Sequence, residues 1–207
     1  MKKSAKTGIA AALILSALFL QSCSGSLVNL TYKDGQLINK RLKLSYNAAP
    51  NCYEPVSIGE AYGYYGDIDM TLYEITGLEP DEWLTQEYAG TATTIFYDED
   101  IVLPTLSEMD PGKIFVCLNE AITFCVATVE DEAVIDEIIR LYETGEEAEW
   151  PLIDSKIIYN LKFLSEEKYP HIYYNLIYGE FPEGNFIYER STKRCVEVGS
   201  LISDIVS

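Results

Sequence analysis

The sequence predicts an α+β protein with a mainly antiparallel sheet, one central amphipathic helix and a short C-terminal helix. Several short segments alternate apolar and polar residues, one central segment repeats its apolar residues at helical spacing, and turn-forming residues separate these segments. Strands interrupted by only a few helices, in this order, favour an antiparallel sheet.

The first elements of this fold lie in the middle of the chain. Residues 69–76 suit a strand, and residues 92–97 and 113–128 are rich in β-branched and aromatic residues. In residues 131–142, apolar side chains recur every three or four positions and acids occupy the other face, which predicts a helix. Thr128 or Asp131 is expected to cap its start, and Gly145 suits its end.

The C-terminal third shows the clearest alternation. Strands are expected at 157–163, 172–178 and 186–190, with turns at 182–185 and 191–194, followed by Val196 and Val198. In the first of these strands, the side chains that point opposite to the apolar face are Asn160 and Lys162. Gly199 and Ser200 begin the short terminal helix, which carries Leu201, Ile202, Ile205 and Val206.

The N-terminus has the parts of a bacterial lipoprotein signal. Three lysines precede an apolar segment, residues 9–20, which is shorter than the roughly 20 residues that span a bilayer. Leu20-Gln21-Ser22-Cys23 then resembles a lipobox, with Gln21 unusual at its place. We expect cleavage before Cys23 and lipid, including palmitate, on that cysteine, because two acyl chains hold a protein stably on a membrane. The alternative is an ordinary signal peptide cut nearby, with Cys23 incidental.

These features divide the chain into a signal peptide at 1–22, a lipid anchor with a basic membrane-proximal segment at 23–50, and an acidic, β-rich extracytoplasmic domain at 51–207. Cleavage would leave 12 basic and 33 acidic residues, a net charge of −21, which argues against nucleic-acid binding. Residues 33–43 are locally basic. They form either a foot attracted to anionic lipid or a solvated hairpin that turns at Asp34-Gly35.

No catalytic, metal or cofactor motif is convincing. His171, the one histidine, has no accompanying nucleophile motif, and Ser165 with Lys168 matches a Ser-x-x-Lys box that lacks its partner motifs. Asp67 with Asp69, and the run 98–100, could offer oxygen ligands to Ca²⁺ but lack the EF-hand spacing. We therefore expect a protein that is not an enzyme and has no cofactor.

Sixteen tyrosines also suggest a recognition surface, although tyrosine equally suits half-buried strands. The tyrosines that suggest it most are Tyr62, Tyr64 and Tyr65, which surround Gly63, and Tyr173, Tyr174 and Tyr178 on one hairpin.

The four cysteines beyond Cys23 allow three pairings. In the hairpin 113–128, an odd-numbered loop would place Val116 opposite Val126, Leu118 opposite Phe124, and Cys117 opposite Cys125, within disulfide reach. Cys52 and Cys195 would then be free or joined to each other. The alternative is four buried thiols that act as small apolar residues.

Two segments resemble known families. Residues 169–178 (YPHIYYNLIY) and 188–199 (YERSTKRCVEVG) resemble the end of uncharacterised surface lipoproteins of Gram-positive gut bacteria. Residues 72–83 (LYEITGLEPDEW) resemble the extracytoplasmic part of β-lactam-sensor-type membrane metallopeptidases. The zinc motif of those peptidases is absent from this sequence, so the resemblance implies an accessory or ligand-binding ectodomain.

The function expected from the sequence is therefore a non-enzymatic binding or regulatory module. It would be lipid-anchored on the extracytoplasmic face of the cell membrane, and its partner would be a membrane sensor or another envelope protein. The alternative is a hydrolase with an unrecognised carboxylate site. A deep pocket with converging carboxylates would favour the hydrolase, and a shallow tyrosine-rich face would favour the binding module.

Overall fold

The computed structural model describes residues 27–66, 70–88, 91–118, 124–151 and 155–206. The first strands along the chain are β1 (Val28–Lys33), β2 (Gln36–Asn39), β3 (Leu44–Ala48), β4 (Tyr53–Pro55), β5 (Ile58–Tyr65), β6 (Met70–Ile75), β7 (Trp83–Tyr88) and β8 (Thr91–Asp98). All of these except β4 form a closed barrel in the order β1-β2-β3-β8-β7-β6-β5.

The remaining elements form a second unit. Its strands are β9 (Lys113–Cys117), β10 (Cys125–Val129), β11 (Ile157–Leu164), β12 (Ile172–Phe181), β13 (Gly184–Tyr188) and β14 (Cys195–Glu197), and its helices are α1 (Leu106–Met109), α2 (Glu132–Thr144) and α3 (Ser203–Val206). The strands pair antiparallel in the order β10-β9-β11-β12-β13-β14, and β4 pairs with β12.

The predicted α+β class is wrong. The protein is mostly β, with 48% strand and 13% helix, and among the described residues only α2 is longer than one turn. The reason is closure of the barrel, which turns the first half of the chain into a sheet that needs no helix to cover its inner face. A central helix packed on one open sheet therefore describes only the second half of the chain.

Barrel closure depends on the parallel pairing of β1 with β5, which places Val28 beside Gly63. A Cβ atom at residue 63 would overlap the carbonyl oxygen of Val28, so glycine is needed for the two strands to approach this closely. The barrel is filled mainly by buried apolar residues: Leu30, Leu37, Tyr46, Leu72, Leu84 and Phe96. The boundary predicted at residue 50 falls between strands β3 and β4, so strands from both sides of it build one barrel.

The second unit packs α2 against one face of its sheet. Asp131, one of the two predicted caps, accepts hydrogen bonds from the backbone N–H groups of Ala133 and Val134, and the helix ends at Gly145. Because the apolar stripe of α2 faces the sheet, its buried residues join one core with those of the strands: Ile135, Ile138, Ile139 and Tyr142. The predicted C-terminal helix is a single turn, α3.

An apolar cluster joins the barrel to the second unit. It combines Ile75, Trp83 and Ile95 of the barrel with Ile172 of β12. Gly77, at a φ of 88°, packs against the ring of His171 so closely that a side chain at residue 77 would overlap the imidazole. The two units are therefore in direct contact through buried side chains.

Candidate functional site

The candidate site lies on the face of the second sheet that points away from α2, called here the outer face. In β11, Tyr159 and Leu161 belong to the core on the α2 side. The alternation of a strand then directs Asn160 and Lys162 to the outer face. The register places Phe115 of β9 and Asn175 of β12 on either side of Lys162.

Three polar side chains from three strands meet on this face. The Nζ atom of Lys162 lies 2.6 Å from Oε1 of Glu54, and the amide Nδ2 of Asn175 donates to Oε2 of the same carboxylate at 2.7 Å. Lys162 is only 2% exposed, whereas Glu54 is 24% exposed. Both oxygens of one carboxylate are therefore engaged, and the buried ammonium has its counterion.

Aromatic rings surround this cluster. The Nζ atom of Lys162 lies 5.5 Å from the centroid of the Tyr173 ring, within cation–π range. Tyr173 in turn meets Phe115 edge to face, with ring centroids 6.1 Å apart. These rings exclude water from the lysine, which strengthens its attraction to Glu54.

One polar atom of the cluster is unpartnered among the described residues. The amide oxygen of Asn175 is buried and accepts no hydrogen bond, while its nitrogen is committed to Glu54. An unpaired buried acceptor costs about 1–3 kcal/mol, so a donor placed there would be favoured. On the same face, further along β11, the apolar side chain of Ile158 is 42% exposed. The outer face thus combines an unpaired acceptor, itself covered from solvent, with an exposed apolar side chain at Ile158.

A second buried polar network lies at the end of β13. Thr192 donates through its hydroxyl to Oε2 of Glu189 at 2.6 Å, and Tyr142 donates to the same oxygen at 3.2 Å. Burial acts to raise the pKa of Glu189, but hydrogen bonds from Ser191, Thr192 and Tyr142 outweigh it and hold the pKa below its ordinary value. This carboxylate closes the turn at 189–194, because it also accepts from the backbone N–H of Ser191.

Arg194 extends this turn towards the end of α2. Its guanidinium donates to the carbonyl oxygens of Tyr142, Glu143 and Gly145 and pairs with Glu147. These bonds satisfy C-terminal carbonyls of the helix and place a cation there, where the helix dipole favours it. The network therefore has a structural explanation that needs no ligand.

Ser165, Lys168 and His171, which were considered for catalysis and set aside, lie apart from one another in their contacts. Ser165 is buried, and its hydroxyl accepts from the backbone N–H of Lys168, whose amine lies 2.9 Å from Asp110. The side chain of Lys168 thus pairs with an aspartate, and the hydroxyl of Ser165 stabilises the turn that leads to Lys168. His171 lies at the junction of the two units, against Gly77.

Of the acids considered for calcium, only Asp98, Glu99 and Asp100 belong to the described residues. Asp67 and Asp69 lie outside the described residues. Asp98 accepts from the backbone N–H of Asp100, and the side chain of Glu99 reaches towards Gln36 at 3.4 Å. Within the described part of the chain, no group of three or more potential ligands could hold a metal ion.

The tyrosines do not form the recognition surface considered from the sequence. Tyr174 and Tyr178 are buried in the core of the second unit, whereas Tyr173 is buried on its outer face, beside Lys162. Tyr62 and Tyr65 pack against the barrel core, where Tyr62 accepts from Asn39 and Tyr65 donates to Gln86. Tyr62, Tyr65, Tyr174 and Tyr178 therefore serve mainly to fill the two cores.

The sulfurs of Cys117 and Cys125 are joined in the structure, and the two residues are directly opposite in the β9–β10 hairpin. The predicted pairing of Val116 with Val126 is wrong: a bulge displaces Val126, and Ala127 faces Val116. Consequently Leu118, Phe124 and Val126 are exposed at the sheet edge. Cys52 and Cys195 are buried and free, and burial raises the pKa of each thiol to about 11.

Sequence reasoning found only one member of the outer-face cluster. Alternation in β11 placed Lys162 opposite the apolar face, but nothing marked Glu54, which lies 108 residues earlier, as its counterion. A charged residue in the middle of a mainly apolar strand was the available signal, because such a residue needs a partner when the strand is central.

The lipidation site, Cys23, and the signal peptide lie outside the described residues. No helix in the described part of the chain is long and apolar enough to cross a bilayer. Comparison with known proteins finds no matching family model and no curated protein or solved structure with significant similarity. The resemblances noted from the sequence therefore remain predictions.

Proposed function

We propose that this chain is a lipid-anchored, extracytoplasmic binding module that takes its ligand on the outer face of the second sheet. The observation that carries the proposal is the unpaired amide oxygen of Asn175, buried beside the Lys162–Glu54 ion pair. Buried acceptors in proteins are normally satisfied, so this one favours a ligand that brings an N–H or O–H donor. The membrane anchor on Cys23 is supported by the lipobox-like sequence.

Binding suits this face better than catalysis does. The ammonium of Lys162 is held by Glu54, and both oxygens of that carboxylate accept hydrogen bonds. Neither group is placed as a free base or nucleophile, which a hydrolase would need. The half-buried Phe115 and the exposed Ile158 provide the apolar contact area that binding surfaces use.

The partner we propose is another envelope protein, such as a membrane sensor. It would contact the exposed apolar surface around Ile158, and a movement of the side chains that cover the amide oxygen of Asn175 would let it donate a hydrogen bond there. A donor from the partner would recover the free energy that the unpaired acceptor costs, and it would also fix the orientation of the partner.

Photo-crosslinking in native membranes tests this proposal. A photoreactive amino acid would replace Ile158 on the outer face and, in a control protein, Tyr32, which is also exposed but lies on barrel strand β1. We expect one adduct from position 158 that is absent from position 32 and is lost in an Asn175→Leu background. The same adducts from both positions, or none from 158, would contradict the proposal.

A further inference from the structure

The loop between β2 and β3 carries four consecutive exposed residues, Lys40, Arg41, Leu42 and Lys43. Leu42 is a large apolar side chain, 41% exposed, in the middle of three cations. None of the ion pairs among the described residues involves these three cations. In a chain with a formal net charge of −18, such a loop is a local exception.

The conformation of this loop is fixed by a buried side chain. Asn39 is fully buried, and its amide oxygen accepts from the backbone N–H groups of Arg41 and Leu42, each at 3.2 Å. Its amide nitrogen donates to the hydroxyl of Tyr62 across the barrel. Lys43 adopts a positive φ of 60° and completes the turn. The loop is therefore held in one shape, with its side chains pointing outwards.

The fold places this loop at the end of the barrel where the chain enters. Because β1 and β2 are antiparallel, with Thr31 opposite Ile38, the start of β1 and the end of β2 lie at the same edge. Val28 begins β1, and Leu27 before it is half exposed. Residue 23 is five residues before Val28, so the two Cα atoms are at most about 18 Å apart.

Acidic residues near the loop lie further up the barrel. β8 ends beside β3, and the register places Asp98 opposite Tyr46, while the backbone of Glu99 bonds to Ser45. The loop extends beyond these pairs, past the start of β3 at Leu44. Glu82 lies at this same end of the barrel, because its backbone carbonyl accepts from the N–H of Asp98. The loop therefore extends past Asp98 and Glu99 along β3, and its three cations face solvent next to an acidic edge.

From this geometry we propose that the β2–β3 loop docks on the anionic bilayer that holds the lipid anchor, a step that rests on the proposed anchoring through Cys23. Lys40, Arg41 and Lys43 contact lipid phosphates, and Leu42 enters the boundary between headgroups and acyl chains. Cations attract anionic lipid only within about a Debye length, roughly 8 Å at physiological salt, and the link to Cys23 is short enough to let the loop come that near. The loop then sets the orientation of the barrel, so that the second unit is presented in one direction.

Fluorescence on lipid vesicles tests this proposal. The full-length protein, processed in a bacterial host, would carry an environment-sensitive dye on Leu42→Cys or, as a matched control, on Lys33→Cys. Lys33 precedes the β1–β2 turn at the opposite end of the same strand pair. Vesicles would contain phosphatidylcholine alone or with 30% phosphatidylglycerol. We expect the dye at 42, and not at 33, to shift to the blue and resist iodide quenching on the anionic vesicles.

A charge variant separates electrostatic docking from passive contact. Lys40→Ser, Arg41→Ser and Lys43→Asn together remove the cations, and Asn is tolerated at positive φ. Each charge changes the affinity for anionic lipid by roughly fivefold, so we expect the triple variant to lose the blue shift of the dye at 42. Flotation should show that this variant is still bound to the vesicles through its lipid. An unchanged melting midpoint would show that the variant is folded.

The outcomes separate the loop from the anchor. If the protein floats with both vesicle types while the dye at 42 is quenched as readily as the dye at 33, the loop proposal is wrong and the anchor stands. If the protein floats only with anionic vesicles and the dye at 42 is protected, the loop proposal stands and the anchor fails. If the protein floats with neither, both fail.

Discussion

Removing the counterion of Lys162 is expected to destabilise the second unit strongly. Glu54→Gln keeps the shape of the side chain but replaces one carboxylate oxygen with an N–H₂ group. Lys162 and Asn175 both donate to that carboxylate, at 2.6 and 2.7 Å, so one of them would then face another donor. The free energy of unfolding should fall by about 3 kcal/mol, the low end for breaking a buried pair, because Glu54 is 24% exposed.

The converse substitution should cost less. Lys162→Met removes the buried charge and keeps an apolar stem in a site that is 2% exposed. Glu54 retains the bond from Asn175 and its partial contact with water, so the expected loss is about 1 kcal/mol. In the double variant no unpaired ammonium remains, and stability should return close to that of Lys162→Met alone.

Chemical denaturation of the four proteins, followed by tyrosine fluorescence and circular dichroism, measures this cycle. The coupling free energy should be about 3 kcal/mol, with a double variant that is more stable than Glu54→Gln. Additive losses, or a Lys162→Met variant that is the less stable of the two single variants, would refute the assignment of a buried, paired ammonium.

Three further predictions concern the junction, a buried acid and the hairpin. Gly77→Ala should lower the melting midpoint more than Gly35→Ala does. Both glycines have a φ of 88°, but only residue 77 faces a histidine ring. Equal decreases in the melting midpoint would contradict that contact. Glu189→Gln should lower the free energy of unfolding by its full amount above pH 4.5, the ordinary carboxyl pKa, and by less as pH falls through the lower pKa that Glu189 has in the folded protein. Urea unfolding of both proteins at pH 7, 4.5 and 3 measures this difference, and a difference that does not vary with pH would count against the prediction. Non-reducing peptide mapping of protein from the envelope should recover Cys117 joined to Cys125. Closing a loop of this length stabilises the folded protein by about 2.5 kcal/mol. Alkylation of both cysteines without prior reduction would exclude the bond.

Local patterns predicted many of the individual elements. The alternation of β11 and the helical spacing of α2 are properties of neighbouring residues, and they identify which side chains face the core. The Asp34-Gly35 turn is likewise local, because both residues adopt positive φ, as a two-residue hairpin turn requires.

The barrel could not be predicted in the same way, because closure is decided by distant pairings. β1 must pair with β5 and β3 with β8, and the segments that meet are more than 30 residues apart along the chain. Gly63 was visible in the sequence, but a glycine in a strand equally indicates a bulge or a bend. The close approach to Val28 that explains it exists only in the folded chain.

The counterion of Lys162 and the position of the hairpin bulge also could not be predicted from local sequence patterns. The β9–β10 hairpin has apolar residues on both faces near its loop, so hydrophobic pattern alone does not fix where a bulge occurs. The Lys162–Glu54 pair joins β11, the third strand of the second unit, to β4, a three-residue strand that comes between barrel strands in the chain but pairs with β12. Charge and alternation predicted which way Lys162 points, but its counterion depends on tertiary structure.

The measurement that tests the central claim most directly is intact-mass and N-terminal peptide analysis of the protein extracted from its own membranes. Lipid anchoring predicts a mature chain that begins at Cys23 and carries a diacylglyceryl group on its sulfur, and a Cys23→Ser protein that is released from the membrane unmodified. A mature chain that begins at another residue, or an unmodified Cys23 in membrane-bound protein, would contradict the account.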